Sequence, residues 1–363
     1  MACSKYVLPQ EMTMEILKRV PLKPLFRCKS VCKSWLSIIA DPRFTKTHFQ
    51  YQQYMTDNEA SLLMIVKSYC LPLPPLVSPD FKCYLYVPDN FKVIGSCHGI
   101  ICLVDDVRCY LWNPLTKQCK QLPKFLRKQE AIVNRQHPGN IAFCFDTISN
   151  DYKVLRLLCE LNTTGGLPVL QLYSTNTDSW QEIYVNDTSP SKVLSYPYIE
   201  LGPVINGMIY TGRVDYVVSF DLHTEVCAAI PIPSSMIRYS DILDFEGSAA
   251  VIFGSASRGS EDSELSLFTL DNIDGKISWT KMFNIVQDGV GWIYSCLGSG
   301  LLYGRRRGGV TVYFLYDYRK EDFKYMPLSN SAVIKFLEYT ETAASVEGLS
   351  HDLYGFNKTL SLL

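Results

Sequence analysis

One short text returns five times along this chain, at intervals near fifty residues. It is an apolar strand, a polar turn, and a second strand that reaches an aromatic residue or a proline. The copies are Tyr110-Leu111-Trp112-Asn113-Pro114-Leu115-Thr116-Lys117 leading to Leu122-Pro123; Leu172-Tyr173-Ser174 leading to Trp180; Val218-Ser219-Phe220-Asp221 leading to Ile230-Pro231; Leu267-Phe268-Thr269-Leu270-Asp271 leading through Gly275 to Trp279; and Tyr313-Phe314-Leu315-Tyr316-Asp317 leading to Tyr325-Met326-Pro327. With Asn113, Ser174, Asp221, Asp271 and Asp317 taken to open the turns, the spacings are 61, 47, 50 and 46. A hairpin recurring at that period, with no helical pattern between copies, predicts small sheets arranged radially.

A second piece lies between the hairpins: a glycine followed by a short apolar strand. It occurs at Gly99-Ile100-Ile101-Cys102-Leu103, Gly207-Met208-Ile209-Tyr210 and Gly300-Leu301-Leu302-Tyr303. A strand apolar on both faces belongs in the inner part of a blade. About six blades are expected. The first is patched together from residues near 60–90, with strand candidates at Leu62-Leu63-Met64-Ile65-Val66 and Tyr84-Leu85-Tyr86-Val87, and from a C-terminal strand over 332–339. Joining both ends of the chain in one sheet removes an open edge. The prolines of Leu71-Pro72-Leu73-Pro74-Pro75 place an exposed loop between those strands, since proline cannot donate to a ladder.

The first fifty residues read differently. Pro9 suits a helix start, and Pro21 and Pro24 end one helix near Arg19 and begin another. Leu25, Cys28, Val31, Cys32, Trp35, Ile38 and Ile39 then fall at the three-and-four spacing of a single helical face. Asp41-Pro42 opens a last short helix through Phe44. Three short helices cannot enclose Leu8, Ile16, Leu17, Val20, Leu25, Val31 and Trp35 together, so surplus apolar surface is expected to seek a partner. This segment holds nine Lys/Arg against three acids, +6, which leaves −7 on the rest of a chain whose net charge is −1. A basic helical module steers toward an acidic partner. The aromatic-interleaved base contacts of a nucleic-acid reader are missing, and no apolar run reaches the length of a membrane span.

Residues 1–50 resemble an F-box, the module that docks on the Skp-type adaptor of cullin ubiquitin ligases. The resemblance is carried by Leu8-Pro9, Glu15-Ile16-Leu17, Val20-Pro21-Leu22-Lys23-Pro24-Leu25, Val31-Cys32-Lys33-Ser34-Trp35 and Asp41-Pro42-Arg43-Phe44 with His48. Met12-Thr13-Met14 departs from the acidic or leucine residues usual there. Residues 95–341 resemble the plant F-box-associated domain, type 1. The carriers there are Gly95-Ser96-Cys97-His98-Gly99, Trp112-Asn113-Pro114, Phe143-Cys144-Phe145-Asp146, Asn150-Asp151-Tyr152-Lys153-Val154 and Tyr173 through Trp180. The resemblance implies α+β architecture in separate domains: a three-helix F-box over 1–50, a transition with the first blade strands over 51–94, a propeller-like substrate-binding domain over 95–341 and a tail over 342–363. It implies a non-catalytic receptor that brings a protein substrate to a ubiquitin ligase by proximity. The adaptor-facing or module-core set is then Leu8, Pro9, Ile16, Leu17, Val20, Pro21, Leu25, Val31, Cys32 and Trp35. The partners implied are the Skp-type adaptor, a cullin through it, and a protein substrate. The S-locus group, which targets secreted-type ribonucleases in pollen recognition, is a narrower form of the same reading. No cofactor is implied.

Other chemistry was sought in the residues. Cys97-His98 with Cys102 and Cys109 lacks the paired spacing of a structural zinc site. Ser350-His351-Asp352 are sequence neighbours and cannot adopt triad geometry. The glycine-rich stretch over 254–259 lacks the lysine of a phosphate loop. Asp146 and Asp151 read as an Asx turn and hairpin solubility. Arg305, Arg306 and Arg307 form a basic loop, a candidate contact for an acidic target. Thirteen cysteines without a secretory signal are read as reduced thiols in cytosol or nucleus. Two other classes stay open at this point: an enzyme with its site in the propeller channel, and a scaffold that binds the adaptor without a cullin.

Overall fold

Proline and one cysteine set the helix boundaries at the N-terminal end. Pro9 and Pro21, both extended, are the N-caps of α1 (Gln10–Arg19) and α2 (Leu22–Cys28). Pro24 falls in the first turn of α2, where no N–H is needed. Cys32 is extended and its Sγ accepts from the Trp35 amide, capping α3 (Lys33–Ala40). The fourth helix, α4 (Pro42–Met55), follows directly. A computed structural model describes residues 8–55, 61–67, 83–87, 91–105, 108–126, 140–158, 168–185, 190–191, 194, 200–213, 216–233, 239–255, 264–273, 276–286, 290–297, 301–306, 312–326, 333–339, 350–351 and 361–362.

The three-helix expectation is therefore corrected to four helices among the described residues. The single face read from Leu25 to Ile39 is interrupted after Cys28, and the last helix runs on past Phe44 because Phe44 and His48 keep a buried stripe. Leu17, Leu25, Ile38, Ile39 and Phe44 form the module core, with Val20, Leu22, Cys28 and Trp35 packed against it. From α4, His48 Nε2–H donates to the Val20 carbonyl at 2.8 Å and Gln52 Nε2 donates to the Lys18 carbonyl at 3.2 Å. Those are carbonyls that the end of α1 leaves without helical partners.

The rest is β. Strands β1 (Ser61–Lys67) and β2 (Cys83–Val87) come first. Blade 1 is β3 (Lys92–Cys97), β4 (Ile100–Val104), β5 (Cys109–Asn113) and β6 (Gln118–Gln121). Blade 2 is β7 (Ile141–Asp146), β8 (Asp151–Leu158), β9 (Val169–Ser174) and β10 (Ser179–Tyr184). Blade 3 is β11 (Val204–Ile205), β12 (Met208–Arg213), β13 (Tyr216–Asp221) and β14 (Cys227–Pro231). Blade 4 is β15 (Tyr239–Phe245), β16 (Ser248–Ser255), β17 (Glu264–Ile273) and β18 (Lys276–Val286). Blade 5 is β19 (Val290–Leu297), β20 (Leu301–Arg306), β21 (Tyr313–Asp317) and β22 (Asp322–Met326). The chain ends with β23 (Val333–Tyr339), β24 (Ser350–His351) and β25 (Ser361–Leu362).

Five antiparallel meanders are blades; about six were expected. The remaining sheet has the order β23-β1-β2-β25 and is mixed, because β1 and β2 run parallel. It is the sheet built from both ends of the chain: β23 pairs with β1 in antiparallel register, Ser61 opposite Tyr339. The expected loop over 71–75 and the tail beyond the short strands lie outside the described residues. β24 adds to the outer edge of β6.

Period-2 alternation explains the long apolar runs. In β4, Ile101 and Leu103 pack with Ile65, Val87 and Tyr339 of the mixed sheet, while Ile100 and Cys102 pack with Ile141, Phe143 and Val154 of blade 2. In β7 and β8, Cys144, Leu155 and Leu157 face Val218 and Phe220 of blade 3. Blades 3 and 4 meet at Val217, Ile230 and Val251, and blades 4 and 5 at Leu265, Leu267, Ile293 and Phe314. Every blade strand that is buried on both sides thus serves two cores.

Two turn types recur. Asn113, Asp146, Ser174, Asp221 and Asp317 are each followed four residues later by a residue at positive φ: Lys117, Asn150, Asp178, Glu225 and Glu321. The carboxylate or amide oxygens of Asn113, Asp146, Asp221 and Asp317 accept from backbone amides two and three residues on. Asp271, expected to open a turn, lies instead inside β17, and Asp146 takes a place the recurrence had missed. Between the first two strands of a blade, His98-Gly99, Asn206-Gly207 and Glu246-Gly247 have positive φ at both positions, the type I′ hairpin. Gly300, expected in this series, lies outside the described residues.

Candidate functional site

On the helical module, Leu8, Met12 and Ile16 are 52%, 55% and 46% exposed; Met12 and Ile16, four residues apart in α1, share one helical face, and Leu8 lies just ahead of the helix. Leu8 precedes the N-cap and would ordinarily pack on the fourth helical residue. That residue is Thr13, turned inward with its hydroxyl on the Pro9 carbonyl, so Leu8 stays outside. Val31, 62% exposed, and Leu36, 47% exposed, add to the uncovered apolar surface. Of the ten residues singled out in the sequence, Leu17 and Leu25 are core, and Val20 and Trp35 are half-buried against it. Leu8, Pro9, Ile16, Pro21, Val31 and Cys32 are exposed. Sequence reasoning missed Met12, Met14 and Leu36, although their apolar character at exposed helical spacing was visible. Glu15 is drawn onto its own helix by Lys18 Nζ at 2.6 Å and Arg19 Nη1 at 2.9 Å; the Lys18 hydrogen bond leads in holding its carboxyl below the usual range.

On the propeller, antiparallel alternation puts the type I′ hairpins and the turns opened by Asn113, Asp146, Ser174, Asp221 and Asp317 at one end. Polar contacts link them from blade to blade. Tyr152 Oη donates to the His98 carbonyl at 3.3 Å and Lys120 pairs with Asp178 at 2.9 Å, joining blades 1 and 2. Lys153 Nζ donates to the Leu222 carbonyl at 2.7 Å and Gln181 to Glu225 at 2.7 Å, joining blades 2 and 3. Asn206 donates to the Gly247 carbonyl at 3.2 Å, and Tyr318 and Arg319 donate to Glu246, which carries the belt through blades 4 and 5. Asp146 and Asp151 belong to this belt. They are only 3% and 1% exposed, which corrects the solubility reading. Burial opposes ionisation of Asp146, but hydrogen bonds from Ser149, Lys153 and the Ile148 and Ser149 amides outweigh it and hold the carboxyl far below its usual range. Asp151 accepts from Ser174, Thr175 and the Asn176 amide.

The longer connections leave from the opposite end. Arg305 and Arg306 close β20 at that end, and Arg307 lies outside the described residues. Cys97, Cys102 and Cys109 share the apolar cluster between blades 1 and 2, and burial pushes the Cys97 thiol up to about 12. Among the described residues, no group of three His, Cys, Asp or Glu is placed to hold a metal ion, and no helix is long and apolar enough to cross a membrane.

These two regions match two family models. Residues 7–47 match the F-box domain and residues 60–297 match the F-box associated beta propeller domain. The chain belongs to the family of F-box proteins with an associated β-propeller. The associated-domain match begins at residue 60, ahead of residue 95, and is to the third type of that domain and not to type 1. Similar proteins in Arabidopsis thaliana include an F-box/kelch-repeat protein, 28% identical over 253 residues, covering 63% of this chain and 66% of the relative. A putative F-box protein is 27% identical over 285 residues, covering 68% and 62%. An F-box/LRR-repeat protein is 23% identical over 368 residues, covering 94% and 82%. The chain spans just under two thirds of the length of the first two relatives.

Proposed function

We propose that this chain is the substrate receptor of a Skp–cullin–F-box ubiquitin ligase, with no catalytic residue of its own. The observation that carries the reading is the uncovered apolar surface of Leu8, Ile16 and Val31 on a segment that matches the F-box domain. A module of this size with that much apolar surface outside its core is built to be covered. Leu8, Pro9, Ile16, Pro21, Val31 and Cys32 face the adaptor, and Leu17, Leu25, Val20 and Trp35 hold the helices that present them. The propeller, locked by the belt of polar links at its tight-turn end, offers its other end to the substrate. Arg305 and Arg306, at the end of β20, are the candidate contact for an acidic target. The ligase then works by holding a substrate lysine beside the charged conjugating enzyme, an increase in effective concentration. The compartment is cytosol or nucleus, where such ligases act.

Co-purification with a Skp-type adaptor tests this. The full chain is expected to retain adaptor, and the Leu8→Ala/Pro9→Ala variant to lose it while keeping the β-sheet circular dichroism of the parent. Adaptor binding undiminished in that variant would overturn the reading. The narrower substrate, a secreted-type ribonuclease, rests on the resemblance of the tail and the hairpin spacing to the S-locus group. Its test is whether such a ribonuclease, and not unrelated proteins, is ubiquitinated in the reconstituted complex.

A further inference from the structure

We infer that Met12 is the central rung of the docking stripe and a modification site whose oxidation state sets adaptor affinity. The inference rests on the adaptor-docking reading and goes beyond it. Met12 stands one helical turn before Ile16, with Leu8 just ahead of the helix, and all three side chains are open to solvent. Its neighbour Thr13 is turned into the module, and exposed Glu15, three residues on, is held by Lys18 and Arg19. The occupant is the adaptor. The stripe lies within the segment that matches the F-box domain, and residues 1–50 as a whole carry a basic excess, which suits an acidic partner.

The side chain matters because a thioether differs from the hydrocarbon side chains of Leu8 and Ile16. It is unbranched, adaptable and oxidisable. A peroxide transfers one oxygen to the Met12 sulfur. The sulfur is oxidised to the sulfoxide, the O–O bond breaks, and the peroxide leaves reduced as water or an alcohol. The product is polar and acts as a strong acceptor in the middle of an apolar contact. Desolvating it against an apolar wall opposes docking. Met14, also exposed, is two residues away and therefore on a different side of the helix.

The test uses the full chain and a purified Skp-type adaptor, with affinity measured before and after treatment with dilute hydrogen peroxide. Oxidation is expected to weaken binding by about tenfold or more, the loss typical of an interface anchor. Methionine sulfoxide reductase is expected to restore it. Met12→Leu is compared with its own untreated sample and is expected to be insensitive to peroxide, whereas Met14→Leu remains sensitive. Sensitivity that persists in Met12→Leu assigns the effect to another group, such as exposed Cys32, and overturns the inference. So does untreated binding that peroxide leaves unchanged. Absence of binding by the untreated chain is a different failure: it removes the docking reading itself.

Discussion

Lys153 holds its ammonium between Asp146 Oδ2 at 2.9 Å and the Leu222 carbonyl at 2.7 Å, with both charged side chains nearly closed to water. Removing one member of a buried pair strands the other. Lys153→Met is expected to cost roughly 3–5 kcal/mol in denaturant unfolding. The double variant with Asp146→Asn is expected to recover part of that loss, because no bare carboxylate remains. The same carboxylate sets an acid limit. Its folded pKa is depressed below the ordinary 3.8, so its contribution is complete above about pH 4 and is lost as the pH falls further. His48 acts in a different window. Burial leads in lowering its pKa, against the raising effect of the Val20 hydrogen bond. The unfolded chain therefore takes up this proton first, and the helical module loses stability as the pH drops below about 6.5. His48→Gln, which can still donate to the Val20 carbonyl, is expected to flatten the helical circular dichroism between pH 6.5 and 5.

At the scale of elements, two tryptophans explain why aromatic residues and prolines kept appearing together in the recurrent text. Trp180 Nε1 on β10 donates to the Pro123 carbonyl at 2.9 Å, just past the end of β6. Trp279 Nε1 on β18 donates to the Pro231 carbonyl at 3.2 Å, at the end of β14. Each is an outer strand latched to the end of the outer strand before it. Trp180→Phe and Trp279→Phe keep most of the apolar contact and lose the donor, at about 1 kcal/mol each. The sites are two blades apart, so the two losses are expected to add in urea midpoints. The recurrence of Trp and Pro was legible in the sequence, but their partnership was not, because it joins residues about fifty apart. Boundaries failed for related reasons. The spacing from Leu25 to Ile39 reads as one face whether or not the chain breaks after Cys28, and a cysteine is an unusual N-cap. Asp271 looks like a turn residue by type, yet the β17–β18 hairpin is long enough to take it into the ladder. That ladder has a bulge at Met282, between Lys281 and Phe283. Trp279 before it faces blade 3, and Phe283 and Ile285 after it face blade 5. No simple alternation foretells that switch.

At the scale of the whole molecule, the closing sheet was legible because both chain ends carried apolar strand text without a local partner. Its parallel pair and the two short C-terminal strands were not, since two-residue strands leave no period to read. Those strands cover edges: β24 lies on β6 and β25 on β2. A chain ending after residue 349 is expected to keep its β content and to self-associate, seen as a concentration-dependent rise in light scattering, since uncovered edges pair between molecules. The pairing of β1 with β23 also sets an order of events on the ribosome. The helical module has short-range contacts and can form as soon as it emerges. β1 emerges next, and its β23 partner is made more than 260 residues later, on the order of tens of seconds at ordinary rates of synthesis. For that interval the nascent chain has a finished docking module and an unclosed ring, which makes β1 the segment that a chaperone must shield.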